Sequence, residues 1–296
     1  MKIALSSWSL NRAFFKGEIN MVQFIQMARE EFHVDGIEMV HWMIPDMPEQ
    51  QGNLAKAFGM FGSKDPEERK KAGALFMGSM GPLSQGIPGN IEDVKNALKK
   101  YNIQVLNMPI DYGNISQLDK ASRDADLAII KVWIDVAAMV GCKGARVNTG
   151  NQAEGVFDLS ITANSYRELA EYAATKNVAL VLENHGGMSA DPDNILKLFE
   201  MVNHPNFRIC PDFGNFESKI RYEALDKIFG LQPFLVHAKT YDFNEFGEQD
   251  QYSFAQCMDI AKKHGYDGWY SVEFEGWTGD QHDGIRRTID LLEKNM

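Results

Sequence analysis

Four short apolar runs in the second half of the chain each stop at a side chain able to bind a divalent cation. They are Val181-Leu182-Glu183, Ile209-Cys210-Pro211-Asp212, Leu235-Val236-His237 and Ser271-Val272-Glu273. Ending a hydrophobic run on a carboxylate or imidazole sets a costly polar group at the rim of a core, where it needs a partner. Taken singly, each could be satisfied by a cap or an ion pair. Their separations of 29, 25 and 36 residues each match a strand, a helix and their loops in a parallel unit, so the four ends would meet in space. Two glutamates, one aspartate and one histidine make an oxygen-rich set with one nitrogen. Such a set suits Mn²⁺ or Mg²⁺ better than a thiolate-type zinc site, with Co²⁺, Fe²⁺ and Zn²⁺ as further candidates. Four protein ligands leave about two positions on a six-coordinate ion, enough for a substrate with adjacent oxygens such as an α-hydroxyketone.

The elements that must position these residues follow from the hydrophobic pattern. Strand-like runs at 3–7, 36–40, 104–108, 144–148, 179–183, 208–212, 234–237 and 269–273 alternate with helical periodicity at 91–99, 125–140, 165–175, 253–264 and 284–293. Eight repeats of this kind predict a single α/β domain over residues 1–296, a closed (β/α)8 barrel. Gly265 behind Lys262-Lys263-His264 marks a helix end, Asp191-Pro192-Asp193 a helix start, and Asp35-Gly36 and Asp267-Gly268 turns before strands two and eight. One segment breaks the rhythm: residues 43–88, with Met43, Met47, Met60, Met77 and Met80 among several glycines, are far longer than an ordinary βα connection. Active sites of such barrels are built from loops at the strand C-terminal ends, so this insertion after strand two is a candidate lid, with an oligomer contact as the alternative.

Composition narrows the function classes. The 296 residues are 44% hydrophobic and 24% charged, with a net charge of -11, a balance that repels nucleic acid and leaves small neutral substrates unaffected. Cys142, Cys210 and Cys257 form neither a CxxC pair nor an even framework, as expected of a reducing compartment. The N-terminal apolar run is too short for a signal-peptide core, and no run of about 18 apolar residues is present to span a bilayer; the expectation is a cytoplasmic protein. No GxxxxGK[ST], GxGxxG, HExxH or GxSxG motif occurs, which argues against nucleotide-dependent and serine-hydrolase chemistry.

The segments Leu182-Glu183-Asn184-His185-Gly186-Gly187, Pro211-Asp212-Phe213-Gly214-Asn215, Val236-His237-Ala238-Lys239 and Val272-Glu273-Phe274-Glu275-Gly276, with Gly36-Ile37-Glu38 in strand two, resemble those of the xylose isomerase-like TIM barrels. That grouping includes sugar and sugar-phosphate isomerases and epimerases, inosose and dehydroshikimate dehydratases, and endonuclease IV-type repair enzymes. The resemblance implies that strands five to eight give Glu183, Asp212, His237 and Glu273 to one divalent ion. In the epimerase branch the two glutamates also exchange a proton with the carbon beside the carbonyl, which makes Glu183 and Glu273 the catalytic pair while the ion stabilises an enediolate. Homo-oligomers are common in the resembling family.

By strand alternation His185 faces the same side as Glu183, Lys239 as His237 and Glu275 as Glu273. These three are candidate substrate contacts, and structural pairing is the alternative for each. Glu275 also competes with Glu273 for the ligand role. Trp8, His41, Trp42 and Trp277 are candidate sugar-stacking walls, Asp111 and Asn148 candidate hydroxyl binders, and Glu38 and Arg146 candidate members of an internal polar network. His33, His204, His264 and His282 are expected at the surface. Lys239 departs from the ketose 3-epimerase branch, which carries an arginine a few residues after its histidine; none occurs here between His237 and Tyr270. The expectation is thus a metal-dependent isomerase or epimerase of a ketose or keto-sugar, free or phosphorylated, with a keto-sugar or inosose dehydratase as the alternative. A three-zinc DNA-repair nuclease lacks the needed histidines and basic rim, and a non-catalytic carbohydrate binder would leave the carboxylate pair without a purpose.

Overall fold

A computed structural model describes residues 2–153 and 157–296. Its strands are β1 Lys2–Ser6, β2 Gly36–Glu38, β3 Gln104–Ile110, β4 Gly144–Val147, β5 Ala179–Glu183, β6 Phe207–Cys210, β7 Val236–Thr240 and β8 Trp269–Phe274. All pair in parallel in the order β6-β5-β4-β3-β2-β1-β8-β7. The ring closes where Asp212 bridges His237, through His237 N–H to Pro211 O at 2.9 Å and Phe213 N–H to His237 O at 3.2 Å. Two of the four candidate ligands therefore sit on the seam of the barrel. The strands are buried almost throughout because helices cover the sheet outside and side chains fill it inside.

The helices are α1 Asn11–Phe15, α2 Met21–Glu30, α3 Pro48–Phe61, α4 Pro66–Ser84, α5 Ile91–Tyr101, α6 Lys120–Met139, α7 Leu159–Ala174, α8 Pro192–Val202, α9 Arg221–Phe229, α10 Phe254–Lys263 and α11 Gln281–Lys294. The expected boundaries at both ends of this set hold: Asp191 caps α8 by accepting from Asp193 N–H at 2.9 Å, and Gly265 follows α10 with a φ of +68°. Helices α6 and α7 start five and six residues before their apolar periodicity, at first turns capped by Asp119 and Asp158. A membrane-crossing helix, long and apolar enough, is absent among the described residues.

Residues 43–88, read from their glycines as loop, are mostly helix. Proline opens both α3 and α4, where its missing N–H costs nothing, and Asp65 caps α4 by accepting from Glu67 N–H at 2.9 Å. Glycines 59, 73, 78 and 81 face open space, so they lower helix propensity without marking a turn. The two helices pack on each other and cover one side of the barrel mouth.

Candidate metal centre and cavity

Glu183, Asp212, His237 and Glu273 converge at the C-terminal ends of β5 to β8, all buried, with one ligand atom from each within 4.8 Å of all the others. His237 Nδ1 is the focus: Glu183 Oε1 lies at 2.9 Å, Glu273 Oε2 at 3.0 Å and Asp212 Oδ2 at 3.6 Å. The other ring nitrogen, Nε2, faces Glu38 Oε2 at 3.1 Å. A carboxylate on Nε2 favours the tautomer that leaves Nδ1 free to bind a cation. Glu38 reaches this place because the β2–β3 register shifts between Ile37 and Glu38, which sets it opposite Asn107, whose amide donates to Glu38 Oε2 at 2.7 Å.

The carboxylates are held from behind. Asp212 Oδ1 accepts from the backbone N–H of Gly214 at 2.7 Å and of Asn215 at 2.9 Å, which turns Oδ2 inward. Asn184 fixes the same backbone, accepting from Asp212 N–H at 2.7 Å and donating to Asp212 O at 3.0 Å. Asn215 Nδ2 donates to Glu183 Oε1 at 3.2 Å. Glu183 Oε2 and Asp212 Oδ2 remain buried without a hydrogen bond; Arg146 Nε at 2.9 Å and Lys239 Nζ at 3.2 Å lie near them, off the hydrogen-bonding direction. Such buried lone pairs call for a partner.

The charges support the same reading. Glu183, Asp212 and Glu273 oppose one nearby ammonium, that of Lys239, which also lies 3.2 Å from Glu273 Oε1 and 3.3 Å from Glu275 Oε1. Glu38 and Glu275 add two carboxylates and Arg146 one guanidinium, so negative charge is in excess around the imidazole. Burial opposes a charge on His237, but the surrounding carboxylates raise it well above the usual range, a place that a divalent ion would take from the proton. The donor set therefore fits a hard dication held by Glu183, Asp212, His237 and Glu273. In the protein's own field, burial opposes ionisation of Glu183, but His237 and Arg146 outweigh it and hold that carboxyl well below the usual range. Burial pushes Glu273 up to about 8, only partly offset by Lys239 and His237. Burial also opposes a charge on Lys239, yet Asp212, Glu273 and Glu275 raise it well above the usual lysine range.

A cavity of about 340 Å³ opens above this centre, and Glu273, Glu275, Asp111, Arg146, Asn148 and His185 form its polar side. Arg146 donates to Asp111 and, at 2.8 Å, to Asn148. A wider groove of about 960 Å³ at the opposite ends of the strands, around Lys2, Gln104 and Trp269, touches none of these groups. The position beside the ligands, rather than size, makes the smaller cavity the candidate site.

Most of the residues singled out from sequence meet here, and two do not. Trp8 and Trp42 line the cavity, Lys239 lies beneath it and His185 stands exposed on its rim. His41 is a correction: it is fully buried, accepts at Nδ1 from Asp111 N–H at 3.1 Å, meets Ser84 Oγ at 3.0 Å through Nε2, and faces Trp133 edge-on. Both nitrogens are engaged within the protein, so it supports the cavity floor and cannot stack on a sugar. Trp277 is the other, 86% exposed outside the cavity. Glu38 and Arg146 are network residues as expected, but they contact His237 and Glu183 rather than each other. The roles of Asn184 and Asn215 leave no mark on spacing: Asn184, one residue after Glu183, braces Asp212, and Asn215, three residues after Asp212, donates to Glu183.

The chain belongs to the xylose isomerase-like TIM barrel family, whose model matches residues 60–295. Among solved structures it is similar to the 3-keto-D-glucoside 4-epimerase YcjR of E. coli, at 19% identity and a TM-score of 0.66 over 99% of each chain. It is similar at 16% identity and a TM-score of 0.64 to the probable 3-DHS dehydratase AsbF of Bacillus anthracis, over 99% of each chain. IOLI protein with a bound zinc atom aligns at 14% identity and a TM-score of 0.65, over 100% of this chain and 99% of that one. No curated protein sequence matches the chain significantly.

Proposed function

We propose that the protein is a divalent-metal-dependent isomerase or epimerase of a keto-sugar, with Glu183 and Glu273 as the proton-transfer pair. The observation that carries this reading is the convergence of Glu183 and Glu273, from β5 and β8, on His237 Nδ1 at 2.9 and 3.0 Å beneath a cavity that Glu273 lines. When bound by Glu183, Asp212, His237 and Glu273, a divalent ion supplies Lewis-acid charge toward adjacent substrate oxygens, with Mn²⁺ or Mg²⁺ suited to the donor set. Glu183 removes the proton from the carbon beside the carbonyl, and Glu273 returns one from the other side. Asp111, Asn148 and His185 accept or donate to hydroxyls from the cavity edge, and Glu275 holds Trp8 through its indole N–H at 2.6 Å. The neighbouring epimerase and zinc-bound protein support the substrate class and the ion.

Loss of water is the second reading. Lys239 Nζ, buried 3.2 Å from Glu273 Oε1, gives this site a cation near the acid that would protonate a departing hydroxyl, and a probable dehydratase shares the fold. Incubation of Mn²⁺-loaded protein with keto-sugars in D₂O separates the two. An isomerase or epimerase incorporates deuterium into recovered sugar, a dehydratase yields an unsaturated product, and neither outcome with any keto-sugar would refute both.

A further inference from the structure

The cavity has a second side that the proton-transfer chemistry does not use. Beyond Asp111, Glu273 and Glu275 the lining is largely apolar, with Trp8, Val40, Trp42, Phe58, Phe76 and Met80. Ser6 is the one hydroxyl beside these residues and accepts from Trp8 N–H at 3.3 Å, and the Trp8 indole N–H is already committed to Glu275. A bare sugar carries a hydroxyl on nearly every carbon, and each one buried against this side would lose its hydrogen bonds to water without replacement.

The aromatic side is built, not incidental. Phe15 stacks on Trp42 with ring centroids 5.4 Å apart and planes 8° from parallel, and Trp8 meets Trp42 edge-on at 6.0 Å. Phe58 meets Trp8 at 6.4 Å and Phe76 at 5.8 Å. Phe58, from α3, is still 41% exposed at the cavity mouth, so a deep aromatic layer ends in rings that water touches. Rims of this kind are completed by an apolar ligand group.

Charge restricts the ligand further. Among the described residues the cavity is lined by the carboxylates Asp111, Glu273 and Glu275, while its one guanidinium, Arg146, is bound to Asp111 and close to Glu183. Only His185, on the rim, could greet an anion. With the dication balancing the ligand carboxylates, a phosphate would still face Asp111 and Glu275, with its natural partner Arg146 already engaged.

Resting on the isomerase or epimerase reading, we infer that the substrate is an uncharged keto-sugar carrying an apolar substituent, a keto-glycoside with a hydrophobic aglycone, whose sugar lies on the Glu273 side and whose aglycone lies against Trp8, Trp42, Phe58 and Phe76. Sugar phosphates are excluded. The aromatic residues of α3 and α4 thus set specificity, and the acidic side performs the chemistry.

The test measures calorimetric binding to the Mn²⁺-loaded full chain of three probes: a methyl keto-hexopyranoside, its phenyl counterpart, and the phenyl compound esterified with phosphate at its primary hydroxyl. The phenyl glycoside is expected to bind about tenfold or more tightly than the methyl one, and the phosphate ester more weakly than the phenyl glycoside. Phe58→Ala and Phe76→Ala, each checked for an unchanged circular dichroism spectrum, should bring the phenyl-to-methyl ratio toward one and leave methyl glycoside binding in place. If both variants unfold, Phe58→Leu, which keeps volume but removes the ring, should lower the ratio. Equal binding of methyl and phenyl probes, or tighter binding of the phosphate ester, overturns the inference. Deuterium incorporation from D₂O into the methyl probe, run in parallel, reports on the proton-transfer reading alone; its success beside a ratio of one would retire the apolar subsite and leave the proposed function standing.

Discussion

The rim of β5 to β8 and the α3–α4 pair face the same cavity and are built on opposite terms. On the rim every charged group is pinned: Asp212 by two backbone N–H groups, His237 by Glu38, Glu183 by Asn215 and Arg146, and Lys239 by four oxygen acceptors. On the helical pair the cavity residues Phe58, Phe76 and Met80 are held by apolar packing, and Phe58 and Phe76 are only partly covered. The difference teaches a division of labour. Chemistry needs charges fixed to within a fraction of an ångström, whereas an apolar wall tolerates repacking and can change with the ligand.

The contrast can be broken first at its chemical end. Glu183→Gln, assayed at saturating Mn²⁺, should lower deuterium exchange by about 10²- to 10⁴-fold and change keto-sugar binding by less than about threefold; full exchange in this variant would remove Glu183 as a base. Removal of the ion with a chelator should abolish exchange, and Mn²⁺ should restore it.

The next effect is on stability. Lys239→Met leaves Asp212 and Glu273 buried beside a lost cation, and should cost about 3–5 kcal/mol in urea unfolding. A loss below about 1 kcal/mol would mean that water or a shifted side chain already serves those carboxylates. Beneath the apolar end, burial pushes His41 down to about 4, with Asp111 opposing it in part, against 6.5 in the unfolded chain. Since the unfolded chain binds the proton first, His41 costs nothing above about pH 6.5, and its destabilisation grows as the pH falls toward 4, to about 3 kcal/mol. His41→Gln should flatten that part of the stability–pH curve; an unchanged slope would assign it to other groups. Smallest is Gly214→Ala, whose new Cβ would lie 2.8 Å from Lys239 Cδ. The Lys239 stem and Tyr241 Oη, 2.9 Å away, must shift while the ammonium stays on its acceptors, and about 1–3 kcal/mol is expected in the same unfolding experiment.

How far the sequence could be read follows the same division. The eight strands were legible because buried parallel strands are short apolar runs, and the four ligands because each ends such a run at unit spacing. Asp212 lies two residues beyond the end of β6 at Cys210, yet the bridge to His237 keeps it in line with the other three. His41, expected as a stacking wall from its aromatic type just past strand two, lies in the 3-10 turn His41–Met43, which carries its ring inward. Helices α3 and α4 escaped notice because their apolar residues do not gather on one stripe and their glycines read as loop; the wall residues Phe58 and Phe76 were lost with them. The bracing contacts, Glu38 to His237 and Arg146 to Glu183, depend on a register shift and on side chains meeting across the barrel, neither of which leaves a mark on spacing.

The central claim is that side chains from four separate βα units grip one hard dication. Anomalous scattering from crystals of the Mn²⁺-loaded protein tests it most directly. The account predicts one strong peak about 2 Å from His237 Nδ1 and from a carboxylate oxygen of each of Glu183, Asp212 and Glu273; a peak elsewhere, or none at full loading, would contradict it.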